Sequence, residues 1–255
     1  MVSEKVIILT QARIGSTRFP QKVLKKIGEE SLLSIHLKRL KKSENASKIV
    51  VATTFENESD KIVEIAMLEN IEAVKGSTDD VLDRFYQAAK NDKPDFVVRV
   101  TSDCPLIDHR LIDQVIEMTV QNNLDYGANI LLEEFPDGQD IEVIKWSALE
   151  KAWLEAKLPS EREHVTPYIR KNTDFNGGTL FKAMNFPANA NYNQVRMTVD
   201  EPSDLDTITL LISKLGLDES WMTYADYIVE NPKVFENQKI VRNEGYIKSL
   251  EKDDK

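Results

Sequence analysis

The sequence has one cysteine, Cys104, so no intrachain disulfide can form. A lone thiol suits a reducing compartment, and the expected location is the cytoplasm. No second histidine or cysteine stands at metal-ligand spacing from His164, which argues against a zinc site. No apolar run approaches the ~20 residues that cross a bilayer, and the apolar stretch at 6–9 is too short for a signal-peptide core. No membrane partner is therefore expected. Positive charge is in deficit, with 33 Lys and Arg against 43 Asp and Glu for a formal net charge of −10. That balance argues against a general nucleic-acid binder and makes any local cluster of cations informative. Walker A and G-x-G-x-x-G loops are absent, as is a Ser/His/Asp set with a nucleophile elbow. Linkers, repeats and low-complexity stretches are missing too.

With 255 residues, 41% of them hydrophobic, the chain is long enough to bury a core without disulfides or metals. β-Branched runs at 6–10, 48–53 and 96–101 read as buried strands. Helical spacing of apolar residues marks 32–40, 57–68, 78–89 and 111–120. Strands alternating with helices predict a mainly parallel sheet covered on both faces, with ligands in the crevice beyond the carboxyl ends of the strands. The second half is patterned differently. Strands are expected at 125–130, 141–144, 179–182 and 195–199, and helices at 146–156 and 160–171, the latter opened by a Ser160/Glu163 capping box. Residues 1–250 read as a single domain, with 125–195 as an inserted lid on the same sheet and 251–255 as a frayed tail.

Chemistry concentrates at five places. The loop Gln11-Ala12-Arg13-Ile14-Gly15-Ser16-Thr17-Arg18-Phe19-Pro20-Gln21-Lys22 follows the first strand. Its three cations, its hydroxyls and Gly15, which permits close backbone approach, suit a triphosphate; a solvated basic loop is the alternative. Thr101-Ser102-Asp103-Cys104-Pro105-Leu106-Ile107-Asp108 follows the third strand, where Asp103 is either a magnesium carboxylate or a turn cap and Asp108 a helix cap. Val199-Asp200-Glu201-Pro202 places Asp200 at a second junction into a helix, where it either shares an ion with Asp103 or caps that helix. Thr78 opens a helix in which Arg84 stands at i,i+4 from Asp80, the spacing of a surface ion pair. Finally, Glu161, Arg162 and His164 share a polar helix that can meet an acceptor.

The motifs Q-A-R-I-G-S-T-R-F-P-Q-K-V-L, T-S-D-C-P-L-I-D, E-H-V-T-P-Y-I-R, T-V-D-E-P-S-D-L and R-N-E-G-Y-I-K-S-L together resemble the cytidylyltransferase family. This family includes the acylneuraminate and 3-deoxy-manno-octulosonate enzymes, and the spore-coat polysaccharide branch is nearest in wording. The resemblance implies an α/β, Rossmann-like three-layer nucleotide-diphosphosugar transferase fold with a mixed, mainly parallel sheet. It implies transfer of CMP from CTP to a sugar acid, sugar phosphate or similar small acceptor, with Mg2+ on Asp103 and Asp200 and release of pyrophosphate. Arg13 and Lys22 would serve catalysis. Gln11, Ala12, Arg13, Gly15, Ser16, Arg18, Lys22, Thr78, Arg84 and Ser102 would line the nucleotide. Asp140, Glu142, Arg162 and His164 are the acceptor-side candidates. Asp137-Gly138-Gln139-Asp140-Ile141-Glu142-Val143 departs from the Gly-Leu-Asp-Val-Glu-Val wording of that branch, so the acceptor stays open. GTP in place of CTP, a glycosyltransferase of related fold and a nucleotide-binding module without catalysis are the rivals. Asp103 is followed by Cys104-Pro105 and not by a D-x-D pair, which argues against a glycosyltransferase. A homodimer built by 125–195 is expected from Phe135, Trp146, Trp153, Phe181 and Phe186, read as uncovered apolar surface; packing of the lid onto the sheet by these residues is the alternative.

Overall fold

The computed structural model describes residues 2–235 together with 240, 242, 249, 250, 252 and 253. The three β-branched runs become the centre of the sheet as β1 (Val6–Gln11), β4 (Lys48–Thr54) and β6 (Phe96–Thr101). Two short strands, β2 (Lys26–Ile27) and β3 (Glu30–Ser31), form a separate hairpin ahead of the first helix. The main sheet also takes β5 (Glu72–Gly76), β7 (Tyr126–Ala128), β8 (Glu142–Lys145) and β9 (Ala183–Asn185), in the order β5-β4-β1-β6-β8-β7-β9. β5, β4, β1 and β6 run parallel; β8 turns antiparallel against β6 and β7, and β9 is again parallel to β7.

Nine α-helices are present among the described residues. Alternate residues of each central strand point to opposite faces. Val6 and Ile8 meet one apolar core with α1 (Leu32–Leu40), α2 (Asp60–Leu68), α4 (His109–Gln121), α8 (Pro202–Leu215) and α9 (Trp221–Glu230). Ile7 and Leu9 meet a second core with α3 (Val81–Ala89), α5 (Trp146–Glu155) and α7 (Pro167–Lys171). The result is the expected three-layer α/β/α sandwich.

Several expectations need correction. The helix foreseen at 160–171 is two, α6 (Pro159–His164) and α7, because Val165 adopts φ 71° and Pro167 restricts the residue before it. Ser160 is not its cap. Glu161 instead accepts from the amides of Lys157 and Leu158. Residues 195–199 alternate like a strand, with Val195, Met197 and Val199 in the core, yet they contribute a single bridge, Asp137 to Arg196, and no ladder. The strand foreseen at 179–182 forms just after it, as β9. Nor are the five aromatics uncovered. Phe135 and Phe181 are buried, Phe186 packs on Phe135, and Trp146 and Trp153 stack on Tyr86. In the tail, Asp253 accepts from the amide and hydroxyl of Ser160 and Lys252 pairs with Glu163, so these two residues are tied down; 251, 254 and 255 lie outside the described residues.

Candidate functional site

The carboxyl ends of β1 and β6 open into a cleft of about 500 Å³. Residues 12–22 form one wall. The loop leaves β1 with the amide of Ala12 still bonded to Ala52 O at 3.1 Å, then folds on itself as Ser16 N and Gln21 N both reach Ile14 O at 2.9 and 3.1 Å. Ile14 is buried beneath it. Gln21 takes a left-handed φ of 57° and turns the chain into a short 3-10 turn, Lys22–Leu24. Lys22 thereby points inward and Arg13 stays exposed, both on the cleft wall.

Lys22 meets the two aspartates singled out in the sequence. Its Nζ lies 2.8 Å from Asp103 Oδ2 and 2.8 Å from Asp200 Oδ1. The pair forms although 195–199 is not a sheet strand, because Val199 N donates to Asp103 O at 2.8 Å and lays that segment against the loop after β6. Asp200 is further held by Arg18 at 3.1 Å and Arg196 at 3.3 Å. Burial lowers the Lys22 pKa, but both carboxylates outweigh that and raise it overall. Burial pushes Asp103 up, but Lys22 holds it far below the usual carboxylate range. Two carboxylates converging on one ammonium make a place for a cation. They suit magnesium, which takes one or two carboxylates plus phosphate oxygens and water. Among the described residues no group of three or more His, Cys, Asp or Glu forms an all-protein metal cage. The capping alternatives resolve separately: Asp204, fully buried, takes the amides of Asp200 and Glu201 at 2.8 and 2.9 Å, and Asp108 caps α4 through Arg110 N.

The other nucleotide-side candidates divide. Gln11, Ala12, Ser16, Arg18, Thr78, Arg84 and Ser102 line the cleft. Gly15 does not. It is exposed, has no left-handed φ, and faces Glu56, whose carboxylate stands 2.8 Å from where a Cβ would sit. Arg84 is not the surface partner of Asp80. It is 1% exposed, donates to Ser77 O at 3.0 Å, and leaves its Nε without a partner. Burial and the nearby Arg13 lower its pKa to about 10.

The acceptor-side candidates also divide. Asp140 and His164 line the cleft. Glu142 and Arg162 do not. Glu142, buried in β8, is held by Arg99 and by the Tyr126 hydroxyl. Arg162 clasps Asp80 from Nε at 2.9 and 3.0 Å and donates to Trp153 O, so it braces α3 against α5. Both side chains are thus paired within the fold and stand outside the cleft lining.

Four residues at or behind the cleft lie outside the sequence expectations, and two of them, Asp137 and Arg196, line it. Asp137 pairs with Arg196 at 2.7 Å, and Arg196 also binds Asp204 at 2.9 Å. Arg242 reaches Asp140 at 2.6 Å; the rest of R-N-E-G-Y-I-K-S-L, apart from Ser249 and Leu250, lies outside the described residues. Burial and Asp140 push Asp137 up to about 7, against the pull of Arg196, which is shared with two other carboxylates. The sequence signal for Arg196 was a charge inside an apolar alternation. His36, the fourth, sits behind the wall. Its Nε2 is 2.9 Å from the Thr10 hydroxyl and its Nδ1 2.9 Å from Cys104 O, so it ties the end of β1 and the loop after β6 to α1. The carbonyl can only accept, so Nδ1 donates and Nε2 accepts. Nothing in the sequence set it apart from the apolar stripe of that helix.

A cytidylyltransferase family model matches residues 7–241. An uncharacterized protein of Methanocaldococcus jannaschii, MJ1063, is 38% identical over 95% of this chain and 98% of its own length. The spore coat polysaccharide biosynthesis protein SpsF of Bacillus subtilis is 31% identical over 83% of this chain and 88% of its own. A cytidylyltransferase structure from Leptospira borgpetersenii superposes with a TM-score of 0.86 at 36% identity, covering 94% of this chain and all of that one. The architecture is that of the nucleotide-diphosphosugar transferases. The chain belongs to the cytidylyltransferase family.

Proposed function

We propose that this cytidylyltransferase-family chain moves CMP from CTP onto a hydroxyl or phosphate of a small sugar-like acceptor, with pyrophosphate leaving. The observation that carries the proposal is the convergence of Lys22, from the cationic loop, on Asp103 and Asp200 at the end of the sheet. Arg13, Arg18 and Lys22 hold the β- and γ-phosphates, which fixes the α-phosphorus for in-line attack. Asp103 and Asp200 would hold magnesium, which when bound there would neutralise phosphate charge as it shifts to the leaving group. Asp140 and His164, which also line the cleft, face the acceptor. The name of the Bacillus relative supports a role in polysaccharide biosynthesis. Consumption of CTP supports a cytoplasmic location.

A pyrophosphate-release assay with CTP, GTP and a panel of sugar acids and sugar phosphates tests this. Release with CTP that requires an acceptor is expected; release with GTP alone would replace the base, and no release with either would refute transfer. In the same assay Asp103→Asn and Asp200→Asn should each lose activity by about a hundredfold or more, as expected when a group stabilising transition-state charge is removed. Melting temperatures should shift by only a few degrees, since neither side chain fills the core. Near-normal turnover in either variant would reduce that residue to a cap.

A further inference from the structure

Three of the four oxygens of Asp103 and Asp200 are already on cations. Lys22 Nζ takes one from each at 2.8 Å, and Arg18 and Arg196 share the last oxygen of Asp200 at 3.1 and 3.3 Å. The fourth, Asp103 Oδ1, faces the Cys104 thiol at 3.5 Å. The cluster is thus charge-balanced before any ligand arrives. A divalent ion entering alone would bring two more positive charges and evict a largely buried ammonium from the two carboxylates it pairs with among the described residues, which is costly. A triphosphate changes that balance. Lys22 stands on the same loop as Arg13 and Arg18, its four-carbon stem is flexible, and it follows the left-handed turn at Gln21.

We propose that Lys22 is a latch on the cation site: it holds Asp103 and Asp200 in the nucleotide-free protein and releases them only when a triphosphate takes its ammonium, so that nucleotide and divalent cation bind as a coupled pair. This rests on the triphosphate reading of the loop and adds to it an obligatory partnership between the two ligands. Linkage makes the coupling reciprocal: whatever factor CTP adds to cation affinity, the cation adds to CTP affinity.

The test uses Mn2+ as probe, read by electron paramagnetic resonance on the intact protein without acceptor, so it is independent of turnover. Nucleotide-free wild type should bind Mn2+ weakly, and CTP should tighten it at least about tenfold. Lys22→Gln and Lys22→Met should bind Mn2+ at least about tenfold tighter than wild type without nucleotide, and adding Asp103→Asn should abolish that gain. In both Lys22 variants CTP should tighten Mn2+ by a clearly smaller factor than in wild type, leaving only what the phosphate oxygens add directly as ligands. Wild type that binds Mn2+ equally well with and without CTP overturns the latch, as do Lys22 variants with unchanged Mn2+ affinity. Should those variants not fold, Lys22→Arg, which keeps the positive charge, should leave nucleotide-free Mn2+ binding as weak as in wild type, and tight binding there overturns the latch. The two readings fail separately: CMP transfer with uncoupled ligands removes the latch only, and coupling without transfer to any acceptor removes the enzymatic reading only.

Discussion

At the scale of single residues, exposure and pairing sort the cations of the first loop. Arg13 is exposed on the cleft wall, whereas Lys22 is committed to the aspartates. Arg13→Ala should therefore weaken CTP binding by about tenfold, the worth of one charge-assisted contact, with no change in melting temperature. Unchanged affinity by calorimetry would remove Arg13 from the nucleotide site. Asp137 allows a sharper test because its folded pKa of about 7 lies above the ordinary 3.8. Its protonated form is the one the fold favours. That contribution is complete below 3.8 and is lost as pH rises through 7. Asparagine stays neutral throughout. Asp137→Asn should thus gain stability relative to wild type on going from pH 5 to pH 8, by on the order of 2 kcal/mol in urea unfolding. A difference that does not vary with pH would show that Arg196 keeps the carboxylate charged. Asp140 faces the same pocket and carries Arg242 on its other side, so the two aspartates titrate as a pair.

At the scale of elements, legibility followed burial. β1, β4 and β6 are buried on both faces and read as continuous apolar runs, which is why their positions, and the loops that carry Arg13 and Asp103, were plain in the sequence. β5 was not seen, because Glu72-Ala73-Val74-Lys75-Gly76 is a half-exposed edge strand with two charges in five residues. Asp103 and Asp200 stand out by chain position at the two junctions, but Lys22 reaches them across 81 and 178 residues, and Asp137 reaches Arg196 across 59. No local pattern records those. His36 illustrates the same limit. Burial holds its folded pKa at about 4 against an ordinary 6.5, so the fold keeps it neutral. Above 6.5 neither state is charged and its contribution is complete. As pH falls from 6.5 to 4 the unfolded chain takes up a proton that the folded one refuses, and stability is lost, by on the order of 3 kcal/mol. His109 and His164 are lowered too and act in the same direction. His36→Gln should accordingly be less stable than wild type at pH 7.5, where two hydrogen bonds are compromised, and should flatten the slope between pH 6.5 and 4. An equal slope in both proteins would assign that acid sensitivity to other groups.

At the scale of the whole molecule, no helix of the described residues is long and apolar enough to cross a membrane. The aromatics that pointed to a dimer are consumed inside the chain, so the expectation of a homodimer now rests on different residues. Strand β9 closes the sheet at the 125–195 end, and an open sheet edge invites pairing with another chain. Leu132, Leu180 and Met184 lie 52, 47 and 39% exposed in this region, and the amide of Leu132 is bonded to Asn185 at the end of β9, which brings Leu132 beside the strand that carries Met184. The edge is only partly blunted, with Asp174 taking the amide of Ala183 at 2.7 Å. Apolar side chains of that exposure beside a terminal strand fit a two-fold contact, the commonest closed assembly. Light scattering at micromolar concentration should give twice the 29.1 kDa chain mass. Leu132→Glu with Met184→Glu should return a folded monomer, since neither residue is needed by either core. The cleft lies at the carboxyl ends of β1 and β6, away from β9 in the strand order, so that monomer should bind CTP as the parent does. A wild-type mass of one chain would refute the dimer and leave these three side chains as isolated apolar surface.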